Sequence, residues 1–238
     1  MLVRYLDTIG PSVMNVICVV LPIVGFIIGF MKGFVNRSVR ILEGAIIIFL
    51  ALVLKNPISA LLYKFVPFLG FKYKVLNVLL FELLGFALIA FILIIIVHIL
   101  NKFINIVERI VGVIMQIGVP TSILGALVSF VEFVFYLYVF IFIVFFFSAI
   151  TNSPIEASLA NKFYYNMPVL RPLLGDSFDA CIEVGEEVNS GESADKINAN
   201  SMKILLYSHF ISYDNAKYII DNNKIEFSGS DKLLENYK

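Results

Sequence analysis

Residues 13–40 read VMNVICVVLPIVGFIIGFMKGFVNRSVR. From Val13 to Phe30 no side chain carries a charge over 18 residues, and at ~1.5 Å rise per residue such a helix crosses the ~30 Å hydrocarbon layer of a bilayer. Lys32, Arg37 and Arg40 then arrive within nine residues, and a second apolar run follows at once. That pattern is a turn between two membrane-crossing helices. A cleaved export signal is the rival reading, but the charges follow the apolar run instead of preceding it, and no small-residue cleavage site comes after it. Pro22 lies mid-span, where membrane helices tolerate it.

The rest of the chain repeats the motif. Of 238 residues 60% are hydrophobic and 15% charged, far from the average of a soluble domain. The expected fold is all-α and polytopic, with a four-helix transmembrane domain over residues 1–150 and helices near 13–31, 34–54, 75–100 and 122–150. Lys55, Asn56 and Pro57 are expected to stop the second helix, leaving NPISALLYKFVPFLG (56–70), too short to cross, as an interfacial or re-entrant segment. An amphipathic connector, NKFINIVERIVGVIMQIG (101–118), suits a helix lying at the interface. Residues 151–238 read as an acidic soluble tail, with 13 acidic and 8 basic residues against 5 and 10 in the first 150. Within it a flexible linker is expected near 186–201 and a short helical hairpin near 202–222, with Ser212 or Asp214 as N-cap. The formal net charge is zero, which speaks against a nucleic-acid partner.

Catalytic groups are sparse. His98 and His209 are the only histidines, so neither a zinc site nor a histidine-based triad can be assembled by spacing, and no phosphate loop or dinucleotide fingerprint is present. The reading is of a non-enzyme without metal or cofactor. Cys18 and Cys181 read as structural thiols. Gly25, Gly29 and Gly33 recur every fourth residue, a stripe without side chains along which another helix can approach closely, either inside the bundle or in a homo-oligomer built through the first helix. Three acids, Glu43, Glu82 and Glu132, lie within apolar runs, where an unpaired charge costs about 2.5 to 3.5 kcal/mol or more. Glu43 follows Arg40 by three residues and can pair with it. Glu82 is within reach of Lys74 and the interface. Glu132 has no basic residue between Arg109 and Lys162 and must find a partner on another helix or bind a proton.

The stretch Gly29-Phe30-Met31-Lys32-Gly33-Phe34-Val35-Asn36-Arg37, leading into an apolar helix, resembles the signature of the colicin V production (CvpA) family. Ser122-Ile123-Leu124-Gly125-Ala126 resembles that family's second motif, and the likeness covers about residues 13–150. The family pattern has Arg-Glu where this chain has Asn36-Arg37, and a glycine followed by Arg-Gly where this chain has Ser129 and then Glu132-Phe133. The acid of one motif and the base of the other have exchanged sign, which points to an ion pair between Arg37 and Glu132, because attraction survives a double swap. What the resemblance implies is a bacterial inner-membrane protein acting as a platform in toxin production, export or envelope maintenance. Some relatives carry an extracytoplasmic domain after the fourth helix, which implies that both termini lie outside and that Lys32 and Arg40 lie in a cytoplasmic turn. Lipid and an unidentified protein bound to the tail would be the partners. The alternative function is a small oligomeric channel or transporter lined by Arg37, Glu82 and Glu132.

Overall fold

The computed structural model describes residues 2–32, 34–111, 121–152, 158–168 and 170–237, and the side chains of 12–31, 41, 43–102, 123–152, 159–168 and 170–237. Four long helices carry the apolar runs: α1 (Leu2–Lys32), α2 (Phe34–Phe65), α3 (Val75–Val111) and α4 (Thr121–Thr151). Each contains a stretch long and apolar enough to cross a bilayer, namely Ser12–Met31, Glu43–Phe65, Val75–Lys102 and Ile123–Thr151. The protein is therefore a multi-pass membrane protein of all-α class, as its composition requires. Large apolar side chains stand exposed along α1 from Val13 to Met31, along α3 from Leu84 to Leu100 and along α4 from Ile123 to Phe147. In a soluble protein such a band would be untenable; in a bilayer it is the lipid-facing surface.

The helices do not close into a square bundle. In space they form a row, α3 beside α2, α2 beside α4, and α4 beside α1, with little contact between α1 and α2. The α1–α4 seam is set by glycine. A Cβ placed on Gly25 would come within 2.5 Å of the Phe133 ring, and one on Gly29 would collide with the Gly125 carbonyl and Ser129. Three of the four expected packing glycines, Gly25, Gly29 and Gly125, are thus used inside the chain; Gly33 lies outside the described residues.

Helix α2 departs from the expected course. Lys55, Asn56 and Pro57 do not end it, and no separate short segment occupies 56–70: α2 continues to Phe65, and residues 66–74 form the connection to α3. Pro57 withholds only the N–H that would reach the carbonyl of Val53, a loss membrane helices absorb. The charge of Lys55, expected at the end of the second helix, is satisfied inside the protein. The connector after residue 100 is likewise part of α3 as far as Val111, and residues 112–118 of it lie outside the described residues.

The tail is more ordered, and more attached, than its composition suggests. Its helices are α5 (Ser158–Asn166), α6 (Leu170–Val188), α7 (Ala194–Tyr207), α8 (Tyr213–Asp221) and α9 (Ser230–Asn236). The expected flexible linker is instead the end of α6, a short turn and the start of α7, which Ser193 caps by accepting from the Lys196 N–H. Ser212 caps α8 in the same way through the Asn215 N–H. Helix α6 lies along α4, with the Phe178 and Phe142 rings stacked at 3.8 Å. Gly185 lets α6 come against the backbone of Ala149 and Ile150. One continuous apolar cluster runs from Cys18 and Leu137 in the spans to Ile197, Leu205 and Ile219 in the tail.

Candidate functional site

Lys55, Ser59 and Tyr63 recur every fourth residue on α2, and with Ala51 they make one fully buried stripe. That stripe faces Glu82 on α3. Lys55 Nζ forms an ion pair with Glu82 Oε2, and the two side chains are 2% and 0% exposed. Ser59 Oγ donates to the same oxygen at 3.2 Å, and the Tyr63 hydroxyl donates to Glu82 Oε1 at 3.0 Å. Gly85, one turn further along α3, has no Cβ to strike Ser59, which keeps α2 and α3 close enough for these contacts.

The tail completes the cluster. Lys55 Nζ also donates to the carbonyl of Phe210, and its charge lies 4.4 Å from the centre of the Phe210 ring. Asn215, on the first turn of α8, donates from Nδ2 to Glu82 Oε1 at 3.4 Å and to the carbonyl of Asn56 at 3.1 Å. Lys224 donates to the carbonyl of Tyr63. Asn198 of α7 accepts from the Val75 N–H at the start of α3, an otherwise unpaired helix-end donor. The turn that delivers Phe210 contains His209 at φ 54°, a left-handed backbone uncommon outside glycine that histidine adopts more readily than most side chains. Both oxygens of Glu82 are therefore satisfied, and the pair is closed on one side by α2 and α3 and on the other by the α7–α8 turn.

A second feature lies between α2, α3 and α4. Among the described residues α3 and α4 make no substantial contact, and the gap between them is a cavity of about 630 Å³. Its walls are apolar, Phe178 and Phe210 of the tail stand at one end, and Glu43, Glu132 and Tyr136 are its polar groups. Asn101 Nδ2 donates to Glu43 Oε1 at 2.8 Å. The Tyr136 hydroxyl donates to Glu132 Oε1 at 3.0 Å. A third cluster belongs to the tail: Arg171 grips Asp179 with two parallel hydrogen bonds of 2.7 and 2.5 Å, and the Tyr164 hydroxyl adds a third at 3.1 Å. Burial, reinforced by Asp179, pushes the Tyr164 hydroxyl far above its usual range. Burial likewise holds the Cys181 thiol well above the usual cysteine range, so it is inert at neutral pH.

The three intramembrane acids thus meet different fates. Glu82 does not pair with Lys74, which is exposed, and it is not partly exposed itself; its partner is Lys55, 27 positions earlier on the facing helix α2. Glu43 is held by Asn101. Glu132 is buried, 5% exposed, against Tyr136. The side chains of Lys32, Arg37 and Arg40 lie outside the described residues, so the Arg37–Glu132 and Arg40–Glu43 pairs do too. Lys55 does not read as a partner for Glu82 because Asn56-Pro57 reads as a stop, although the i, i+4, i+8 spacing of Lys55, Ser59 and Tyr63 points past it; Asn215, 133 positions from Glu82, has no local signal at all. No family model, curated protein or solved structure matches the chain.

Proposed function

We propose that the protein is a non-enzymatic membrane platform whose tail is fastened to its transmembrane helices. The observation that carries this reading is the Lys55–Glu82 pair, dry, fully hydrogen-bonded and closed by Phe210 and Asn215 of the tail. A transport pathway needs ionisable groups that water or substrate can reach; Glu82 offers none of its surface. A platform needs a fixed geometry between its membrane part and the part that meets partners, and a buried pair shared by both supplies it, since separating them would strand two charges. The likeness of the two short motifs to colicin V production proteins supports a role in toxin production or export and envelope maintenance in a bacterial inner membrane, with the tail meeting the partner protein. The same likeness, with four spans, supports both termini on the outer side.

The test is reconstitution. Proteoliposomes holding the full chain and an internal pH dye should take up protons no faster than empty liposomes, with or without an imposed potential. Flux that Glu132→Gln abolishes while leaving the unfolding midpoint unchanged would establish transport instead.

A further inference from the structure

The cavity between α3 and α4 has a polarity gradient that matches a membrane lipid lying in one leaflet. Glu43 and Leu52 both line it, as do Glu132 and Ile143 on α4, so it extends for at least nine residues of helix, about 14 Å at ~1.5 Å per residue. Its carboxyls lie toward the N-terminal ends of α2 and α4, and its far end is closed by the tail residues Phe178 and Phe210. Three of its wall residues, Ile94, Tyr136 and Ile143, are 52%, 50% and 42% exposed; the cavity is therefore unsealed along the α3–α4 gap, within the lipid-facing band. A volume of about 630 Å³ is in the range of built ligand sites.

The polar end of the cavity is acidic, and a lysine lies beyond its wall. Glu43 and Glu132 bring acceptor oxygens, and Lys102, exposed, outside the cavity wall and next in sequence to the Asn101 that holds Glu43, puts a cation within one residue of that level of α3. Acceptor oxygens call for N–H donors, which a primary ammonium has and a trimethylammonium lacks. A cation beside them suits a phosphate. We propose that this cavity is a lateral binding site for an aminophospholipid of phosphatidylethanolamine type, with the ammonium at Glu43, the phosphate toward Lys102, and one acyl chain running between α3 and α4 to Phe178 and Phe210. The proposal requires only that the helices span a bilayer; it is independent of the platform reading, and flux measurements leave it untouched.

The chain contains no tryptophan, so a single introduced one reports its own surroundings. Phe86→Trp places the reporter in the cavity wall, and Phe91→Trp, at a site 61% exposed on the same helix, faces bulk lipid. The full-length variants are reconstituted into vesicles of brominated phosphatidylethanolamine, phosphatidylcholine or phosphatidylglycerol diluted in unlabelled lipid. For Phe86→Trp the brominated ethanolamine lipid should associate on the order of tenfold more tightly than the choline lipid, the scale of one charge-assisted hydrogen bond; for Phe91→Trp the three lipids should quench alike. Glu43→Gln should bring the Phe86→Trp preference down toward unity, and Ala90→Phe, which fills the cavity without touching its polar end, should remove quenching by all three. Soluble phosphoethanolamine should not compete. Equal quenching of Phe86→Trp by all three lipids would overturn the proposal, as would the absence of quenching, a preference for choline, retention of the preference in Glu43→Gln, or displacement by the free headgroup.

Discussion

Lys55 and Glu82 occupy positions where either charge alone would be stranded in a dry interior. Removing one partner of such a pair costs about 3–5 kcal/mol, whereas replacing both by apolar groups of similar volume is close to neutral. Lys55→Met and Glu82→Leu should therefore each lower the unfolding midpoint in detergent sharply, and the double variant should recover most of the loss; additive losses would show that the two are not coupled. At the tail, Glu183 presents the opposite case. Burial raises its carboxyl above the usual range, and the neighbouring Asp179 and Glu186 raise it further. A carboxyl whose folded pKa is raised binds its proton more tightly in the folded state, so its penalty is present in full above the folded pKa, shrinks as pH falls through that value, and is gone below the unfolded one. Protease resistance of the tail should accordingly gain a contribution from Glu183 as pH is lowered into the carboxylate range. Glu183→Gln should be more resistant than the wild type at pH 8 and should lose that part of the pH dependence.

At the scale of helices, α1 and α4 meet through absent side chains, and α2 shows the converse. A methyl on Gly29 would collide with the Gly125 carbonyl and Ser129, while one on Gly44 would meet nothing within 4 Å. Gly29→Ala should thus destabilise by about 1–3 kcal/mol, as overpacking does. Gly44→Ala should be neutral or stabilise by up to about 1 kcal/mol through helix propensity and a less flexible unfolded chain. Thermal unfolding of the two variants side by side checks both signs. Because the Gly25–Gly29 surface is occupied by α4, a homo-oligomer through that stripe would have to displace α4. Pro57 is the related case in α2: a proline removes one helical hydrogen bond and crowds the preceding turn, and here the helix runs on through it, carrying the buried stripe of Ala51, Lys55, Ser59 and Tyr63.

In the whole molecule, membrane and tail parts share one core, and the row of helices leaves one gap. The tail helices grip α4 through stacked aromatic rings, the α7–α8 turn covers the ion pair, and Phe178 and Phe210 also cap the cavity. A single surface of the tail therefore contributes to both features, and loss of residues 194–238 would expose Glu82 and open the cavity at once. The four spans and the Ser212 cap of α8 were legible in sequence because they rest on local properties, uninterrupted apolar length and a serine before a helical run; the first half of α7 was not, because its polar residues read as a linker until Ile197 and Asn198 are seen packed against the rest of the protein. The Glu132 environment was legible only in part, since its lack of a local base is a sequence fact but the hydroxyl of Tyr136 one turn on gains meaning only when both side chains face the same cavity.

The sequence alone determined that this chain crosses a membrane four times, because burying some twenty consecutive apolar residues is a matter of solvent and depends on nothing distant. It also determined that Gly25 and Gly29 form a contact surface and that each intramembrane acid needs an answer. Which helix used the glycines, which lysine answered Glu82, and that an acidic tail would reach back to close the pair were decided only in the tertiary structure. Those outcomes join residues 27 to 155 positions apart, and an ion pair at that separation is chosen by which helix faces meet, a property of the packed row that no stretch of the chain carries by itself.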